Sequence, residues 1–165
     1  MSKNYIGIDN GVTGSIGIIW KISGSEFYQM PVFKQKSYTK ADQNISRIDT
    51  AELMEILRTL DPSDSIVILE RPFVNSKGFK ATQSAMRALE ATLIVIEYLK
   101  LPYQYIDSKQ WQKELLPSGI KGTAELKNAS FDIGCRLFPQ LKEEIKKQKD
   151  ADGLLIAEWA RRNNL

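Results

Sequence analysis

The 165-residue sequence contains no histidine and a single cysteine, Cys135. Without histidine there is no Ser–His or Cys–His nucleophilic pair, and none of the usual zinc sites. A lone cysteine excludes an internal disulfide and fits a reducing cytoplasm; it lies in a helical pattern and reads as core. Long apolar runs are also missing. The stretch 91–96 is too short to span a bilayer, no signal peptide is read, and no membrane role is expected. There is no internal repeat, low-complexity segment or linker. An enzyme written in this alphabet works with carboxylates, lysines and a hard metal ion.

What is present is ordinary in amount: 42% hydrophobic and 26% charged residues, enough for one domain over residues 1–165 with a substantial core. The net charge of +3 and a pI of about 8.9 are mildly basic and compatible with nucleic acid as a partner.

The chain is organised around residues 5–20. Ile6 and Ile8 alternate with Gly7, Asp9 closes the strand, and Asn10-Gly11 is a hairpin signal because both residues tolerate positive φ. Ile16, Ile18 and Ile19 restart the apolar run. Asp9 would be costly to bury unpaired. It organises the turn through its backbone, or holds a metal as in ribonuclease-H-like nucleases, or belongs to a phosphate-cradling hairpin as in actin-like and sugar-kinase ATPases.

Strands are expected at 4–9, 14–22 and 26–31, an antiparallel meander. Residues 32–48, with Lys34, Lys36, Lys40 and Arg47, read as a polar loop. Asp49 to Glu52 opens a helix carrying Leu53, Ile56, Leu57 and Leu60, which Pro62 ends. Ser65 to Leu69 is a continuous β-rich run, suited to a buried central strand, and ends in Glu70. A long helix covers 80–100 and a short strand 103–106. Asp107 caps a helix holding Trp111 and Leu115. Helices follow at 124–138 and 151–163, and the charged run 142–149 between them reads as solvated. The pattern predicts an α/β fold with a mixed sheet, antiparallel first and parallel after.

Two apolar strands thus end in an acid, Asp9 and Glu70. If the strands are neighbours, the carboxylates lie side by side, and a divalent cation is the natural remedy for their repulsion. Glu70 paired with Arg71 or a surface lysine is the plainer alternative. Asp152 shares a helix face with Leu155, Ile156 and Trp159, the buried stripe, while Glu158 and Arg161 fall on the opposite side. Asp150 reads first as the helix N-cap. Three acids at the ends of buried elements describe a two-metal phosphodiester site.

In this arrangement the sequence resembles the RuvC-like Holliday junction resolvases of the ribonuclease-H-like superfamily. The matching pieces are Ile6-Gly7-Ile8-Asp9-x-Gly11-x-x-Gly14, Ile68-Leu69-Glu70 and Ala151-Asp152-Gly153-Leu154-Leu155-Ile156-Ala157, in order across nearly the whole chain. Residues 102–116 and 121–139 are similar to the family's middle and later regions. The resemblance implies a ribonuclease-H-like mixed five-stranded sheet flanked by helices. It implies a homodimer that cuts opposed strands of a four-way DNA junction, leaving a 5′-phosphate and a 3′-hydroxyl. Asp9, Glu70 and Asp152 would be catalytic and hold Mg²⁺, with Mn²⁺ able to take its place. The family's fourth ligand falls three positions before the last aspartate, where this chain has Lys149, so Asp150 is the candidate substitute. Phe73 stands where the family places an aromatic that opens the junction, against the plainer reading of core packing. Arg71, Lys77, Lys80, Lys121 and Lys127 are candidate DNA contacts, against plain solvated surface. The helix at 80–100 is the candidate dimer face. The small form fits a cytoplasmic protein of bacterial or bacteriophage source.

Three other functions compete. An actin-like ATPase needs a second domain and a second phosphate hairpin. A ribonuclease H or other nuclease on the same fold would cut simpler duplexes. A non-catalytic junction-binding protein would keep the basic surface without needing the carboxylates.

Overall fold

In the computed structural model, which describes residues 3–74 and 77–165, five strands form one twisted sheet in the order β3-β2-β1-β6-β7. The strands are β1 (Asn4–Asp9), β2 (Ser15–Ile19), β3 (Ser25–Gln29), β6 (Ser65–Glu70) and β7 (Tyr103–Ile106). The first three make the expected antiparallel meander, and β1, β6 and β7 run parallel.

The central strands are apolar throughout because both faces of the sheet are covered. Ile6, Ile8, Val67 and Leu69 face a core shared with α1 (Thr50–Leu57) and α2 (Phe79–Tyr98). Tyr5, Ile66 and Ile68 face the other core, shared with α3 (Ser108–Leu115), α4 (Thr123–Leu137) and α6 (Asp152–Arg162). Asp49 caps α1 by accepting from Ala51 and Glu52 N–H, and Asp107 with Gln110 forms a capping box on α3, as the sequence predicts.

Two expectations are corrected. Residues 32–48 are not a loop. They form an antiparallel hairpin of β4 (Val32–Lys36) and β5 (Asn44–Ile48), with Val32 opposite Ile48 and Gln35 opposite Ile45. Lysines on a two-stranded ribbon are tolerated because the edge faces water, and they disguise the strand pattern. The run 142–149 holds a short helix, α5 (Lys142–Gln148), pinned by the fully buried Ile145 while its charges face outward. The hairpin signal at Asn10-Gly11 is borne out, since β1 and β2 pair antiparallel on either side of it. The connection spans residues 10–14, of which only Gly11 takes positive φ, and Gly14 N–H closes it on Gly11 C=O at 3.1 Å.

The site is positioned by one close approach. Gly7 and Gly17 are directly opposed on β1 and β2, and α6 lies on them without side chains between. A Cβ at residue 7 would sit 2.2 Å from Gly153 O and 2.4 Å from Ala157 N. One at residue 17 would sit 2.5 Å from the Leu154 Cα. These are backbone atoms with no rotamer to yield. Gly7→Ala and Gly17→Ala are therefore each expected to cost about 3 kcal/mol or to prevent folding, measured as a lowered denaturant midpoint. A loss under about 0.5 kcal/mol would mean that the helix does not depend on this contact.

Candidate active site

The register puts the first two acids together. Ile8 pairs with Leu69 in the parallel β1–β6 ladder, so Asp9 and Glu70 leave the same end of adjacent strands, about 4.8 Å apart along the sheet. The glycine seat of α6 sets its N-terminus over that end. Ligand oxygens of Asp9, Asp150 and Asp152 all come within 4.8 Å of one another. Glu70 stands beside this trio, within hydrogen-bonding range of the Asp9 carboxyl and inside the field of Asp152.

Asp152 therefore faces the cluster, as its helix position predicts, with Leu155 and Ile156 fully buried on the same side. Of the two readings of Asp150, N-cap and substitute fourth ligand, its place in the acidic cluster fits the second. Ala151, not Asp150, is the N-cap of α6, and it offers no capping side chain. Asp150 is instead only 1% exposed and turned into the cluster. Lys149 ends α5 in a left-handed conformation (φ 74°) and points to solvent. That reversal swings the next residue, Asp150, inward. Glu158 departs from expectation: it is buried rather than solvent-facing, held by Arg161 and Arg162 at 2.8 Å.

Several polar side chains that the sequence does not single out frame the acids. Ser130 of α4 is buried; its hydroxyl accepts from Ala151 N–H at 3.0 Å and donates to Asp152 Oδ1. Ser15 Oγ accepts from Gly153 N–H at 3.1 Å. Gln148 Nε2 donates to Thr13 and Gly14 C=O at 2.9 and 3.1 Å, tying α5 to the β1–β2 connection. The Trp111 indole N–H, buried without a formed hydrogen bond, and the Ser108 hydroxyl both lie near Glu70 and favour its charged form. Trp111 is fully buried on α3. Only the fold reveals its polar edge.

The electrostatics are those of crowded, dehydrated acids. Burial, then the charges of Asp152, Glu70 and Asp150, hold the Asp9 carboxyl well above its usual range, with Lys127 opposing. Burial and Asp152 push Glu70 up to about 7, against the nearby donors of Trp111 and Ser108 and the neighbouring Asp9. Burial and Asp150 push Asp152 up to about 6, against Ser130 and Lys127. Lys127 Nζ meets Asp150 Oδ2 at 3.2 Å. Its own burial works to lower its pKa, and the bond to Asp150 with the nearby acids outweighs that and raises it. Four carboxylates against one ammonium, all hard oxygen donors, fit a divalent cation of the Mg²⁺ or Mn²⁺ type. The donor set holds no nitrogen or sulfur.

The candidate DNA contacts are dispersed. Phe73 is not core; it is 83% exposed in the segment after Glu70. Arg71 is already engaged, 3.2 Å from Asp107 and over the Tyr105 ring. Lys77 and Lys80 lie exposed just before and within the first turn of α2, and Lys121 is exposed ahead of α4. Lys127 touches the acidic cluster, through Asp150.

Without metal, the folded state binds more protons than the unfolded chain between the ordinary carboxylate values (3.8 and 4.5) and the raised ones near 6 and 7. Stability must then fall as pH rises through that window. The melting temperature of metal-free protein is expected to drop by about 5–10 °C from about pH 5.5 to about pH 8. Mg²⁺ should restore more at the higher pH, and Asp152→Asn should flatten the profile. A melting temperature that rises across this interval in chelator would contradict the crowding.

No protein-family model and no curated protein matches the chain. Solved structures do. Thermus thermophilus RuvC in complex with a Holliday junction substrate aligns with 98% of this chain and 96% of its own, at TM-score 0.58 and 20% identity. A further Thermus thermophilus RuvC structure aligns with 96% of this chain and 95% of its own, at TM-score 0.52 and 19% identity. The order of strands, the helices on both faces and the extent of the match agree: this chain has the RuvC-like, ribonuclease-H-like fold.

Proposed function

We propose that the chain is a divalent-metal-dependent endonuclease that cuts branched DNA, with the four-way junction as its substrate and residues 1–165 as one nuclease domain. The observation that carries this reading is the convergence of Asp9, Asp150 and Asp152, with Glu70 beside them, on a RuvC-like fold. The neighbour bound to a Holliday junction supports the substrate class.

Asp9, Glu70, Asp150 and Asp152 would hold Mg²⁺, with Mn²⁺ able to replace it. Bound divalent cations supply Lewis-acid activation of water and neutralisation of the leaving oxygen. The chain's own part is positional. The two strand ends fix Asp9 and Glu70, and the α6 N-terminus brings Asp152 to them. Lys127, half exposed at the rim of the cluster, offers its ammonium to an arriving phosphate. Phe73 offers an exposed ring against which an unpaired base stacks. Lys77, Lys80 and Lys121 contribute sequence-independent attraction to the backbone. Arg71 contributes less, since Asp107 already neutralises it. Cutting two opposed strands calls for a homodimer. Exposed Phe79, Ile94 and Tyr98 on α2 support that helix as its contact face. No helix among the described residues is long and apolar enough to cross a membrane, and the proposed place of action is the cytoplasm.

With Mg²⁺, the protein is expected to make paired, symmetric nicks in a synthetic four-way junction and to leave plain duplex intact. Asp9→Asn and Asp152→Asn should each reduce cutting to background while junction affinity in chelator stays within about threefold, because phosphate contacts dominate affinity. Normal cutting by Asp152→Asn would refute the carboxylate site. Cleavage of an RNA–DNA hybrid in preference to the junction would move the activity to a ribonuclease H. Tight binding with no cutting would leave a junction-binding protein. In the same assay, Phe73→Ala should weaken junction binding roughly tenfold with little effect on duplex; an unchanged affinity would remove Phe73 from the substrate contact.

A further inference from the structure

The start of α6 is capped from outside. Its N-cap is Ala151, which has no capping side chain, yet its first amides are not left open. Ala151 N–H is taken by the Ser130 hydroxyl at 3.0 Å, and Gly153 N–H by the Ser15 hydroxyl at 3.1 Å. Both serines are buried, at 1% and 0% exposure. They differ in one respect. Ser15 ends at the helix amide. Ser130 continues to a carboxylate oxygen, Asp152 Oδ1.

That difference fixes a proton. The Ser130 oxygen accepts from the Ala151 amide, and its single hydrogen is given to Asp152. Asp152 Oδ1 is thereby occupied as an acceptor, and the carboxylate plane is locked to α4. Close packing supports the lock. A Cβ at Gly134, one helical turn further along α4, would stand 2.2 Å from the Ala151 Cβ, so α4 lies hard against the residue preceding Asp152.

We infer that Ser130 is a positioning residue for the metal-binding carboxylate of Asp152, holding Oδ1 so that the other oxygen, Oδ2, is the one presented to the cation. The inference rests on the proposed metal-dependent site. It adds that the site's affinity depends on a buried hydroxyl from a helix that carries none of the acids. Hydrogen-bond partners of ligating side chains typically govern affinity by 10–100-fold, through ligand orientation and basicity.

The test is calorimetric titration of Mn²⁺ into the metal-free full chain, for wild type, Ser130→Ala, Ser130→Thr, Ser15→Ala and Asp152→Asn. Ser130→Ala is expected to weaken Mn²⁺ binding about 10–100-fold. Its junction affinity in chelator should be unchanged, and its cleavage should recover at high Mn²⁺. Ser130→Thr keeps the hydroxyl and should recover most of the affinity. Ser15→Ala removes a cap of the same kind without touching a carboxylate, so it should lower the melting temperature and leave the titration in place. A Ser130→Ala titration identical to wild type would overturn the inference. So would an equal shift in Ser15→Ala, which would make Ser130 a helix cap and nothing more. Wild type that binds no Mn²⁺, or Asp152→Asn that binds it as wild type does, would instead sink the metal site itself.

Discussion

Backbone-to-backbone contact between α6 and the opposed pair Gly7 and Gly17 is the constraint on which the site depends. A helix resting on a sheet through ordinary side chains stands about 10 Å away. Here the interposed side chains are missing, and Gly153 returns the approach from the helix, where a Cβ would lie 2.8 Å from Ser15 O. The helix cannot slide or rotate on this seat without collision. Its first turn is therefore delivered to one place, the end of β1 and β6 where Asp9 and Glu70 emerge. The acids are brought together by this backbone contact at Gly7 and Gly17 and by the β1–β6 pairing, and not by any attraction between themselves.

Attraction is what they lack. Gathering Asp9, Glu70, Asp150 and Asp152 out of water beside one another raises the pKa of three of them, burial being the largest cause each time. Lys127 offsets part of this, and Ser130, Trp111 and Ser108 supply donors. The sheet and its two cores supply the stability that makes such a cluster tolerable. A fold that keeps this tension has a reason outside stability, since functional sites are where perturbed carboxylates gather. A divalent cation resolves all the repulsions at once.

Much of this was legible in the chain. Asp9 and Glu70 stand out because each ends an apolar run, where a charge is costly to bury unpaired. Asp152 is legible from the helical repeat that aligns it with Leu155 and Ile156. The mixed sheet, meander first and parallel strands after, is legible too, while the adjacency of β1 and β6 comes only from the structure. Other features depend on contacts far apart in sequence. Ser130 reaches Asp152 across 22 positions, and nothing local marks that serine among others. Asp150 reads from sequence both as an N-cap and as a substitute ligand, and only the left-handed turn at Lys149 shows why it faces the cluster. The β4–β5 hairpin hides because lysines occupy positions that strand propensity would give to β-branched residues. Phe73 leaves both readings open in sequence, core or exposed stacking ring, and its exposure beyond the end of β6 removes the first.

The central claim is that these carboxylates form a divalent-cation site. A crystal of the protein soaked in Mn²⁺ and measured at the manganese absorption edge tests it without reference to any substrate. Anomalous density among the oxygens of Asp9, Glu70, Asp150 and Asp152, abolished in crystals of Asp152→Asn, is the predicted result. Crystals that bind Mn²⁺ elsewhere but show no anomalous density at this cluster, with the carboxyls hydrogen-bonded to one another, would contradict the account.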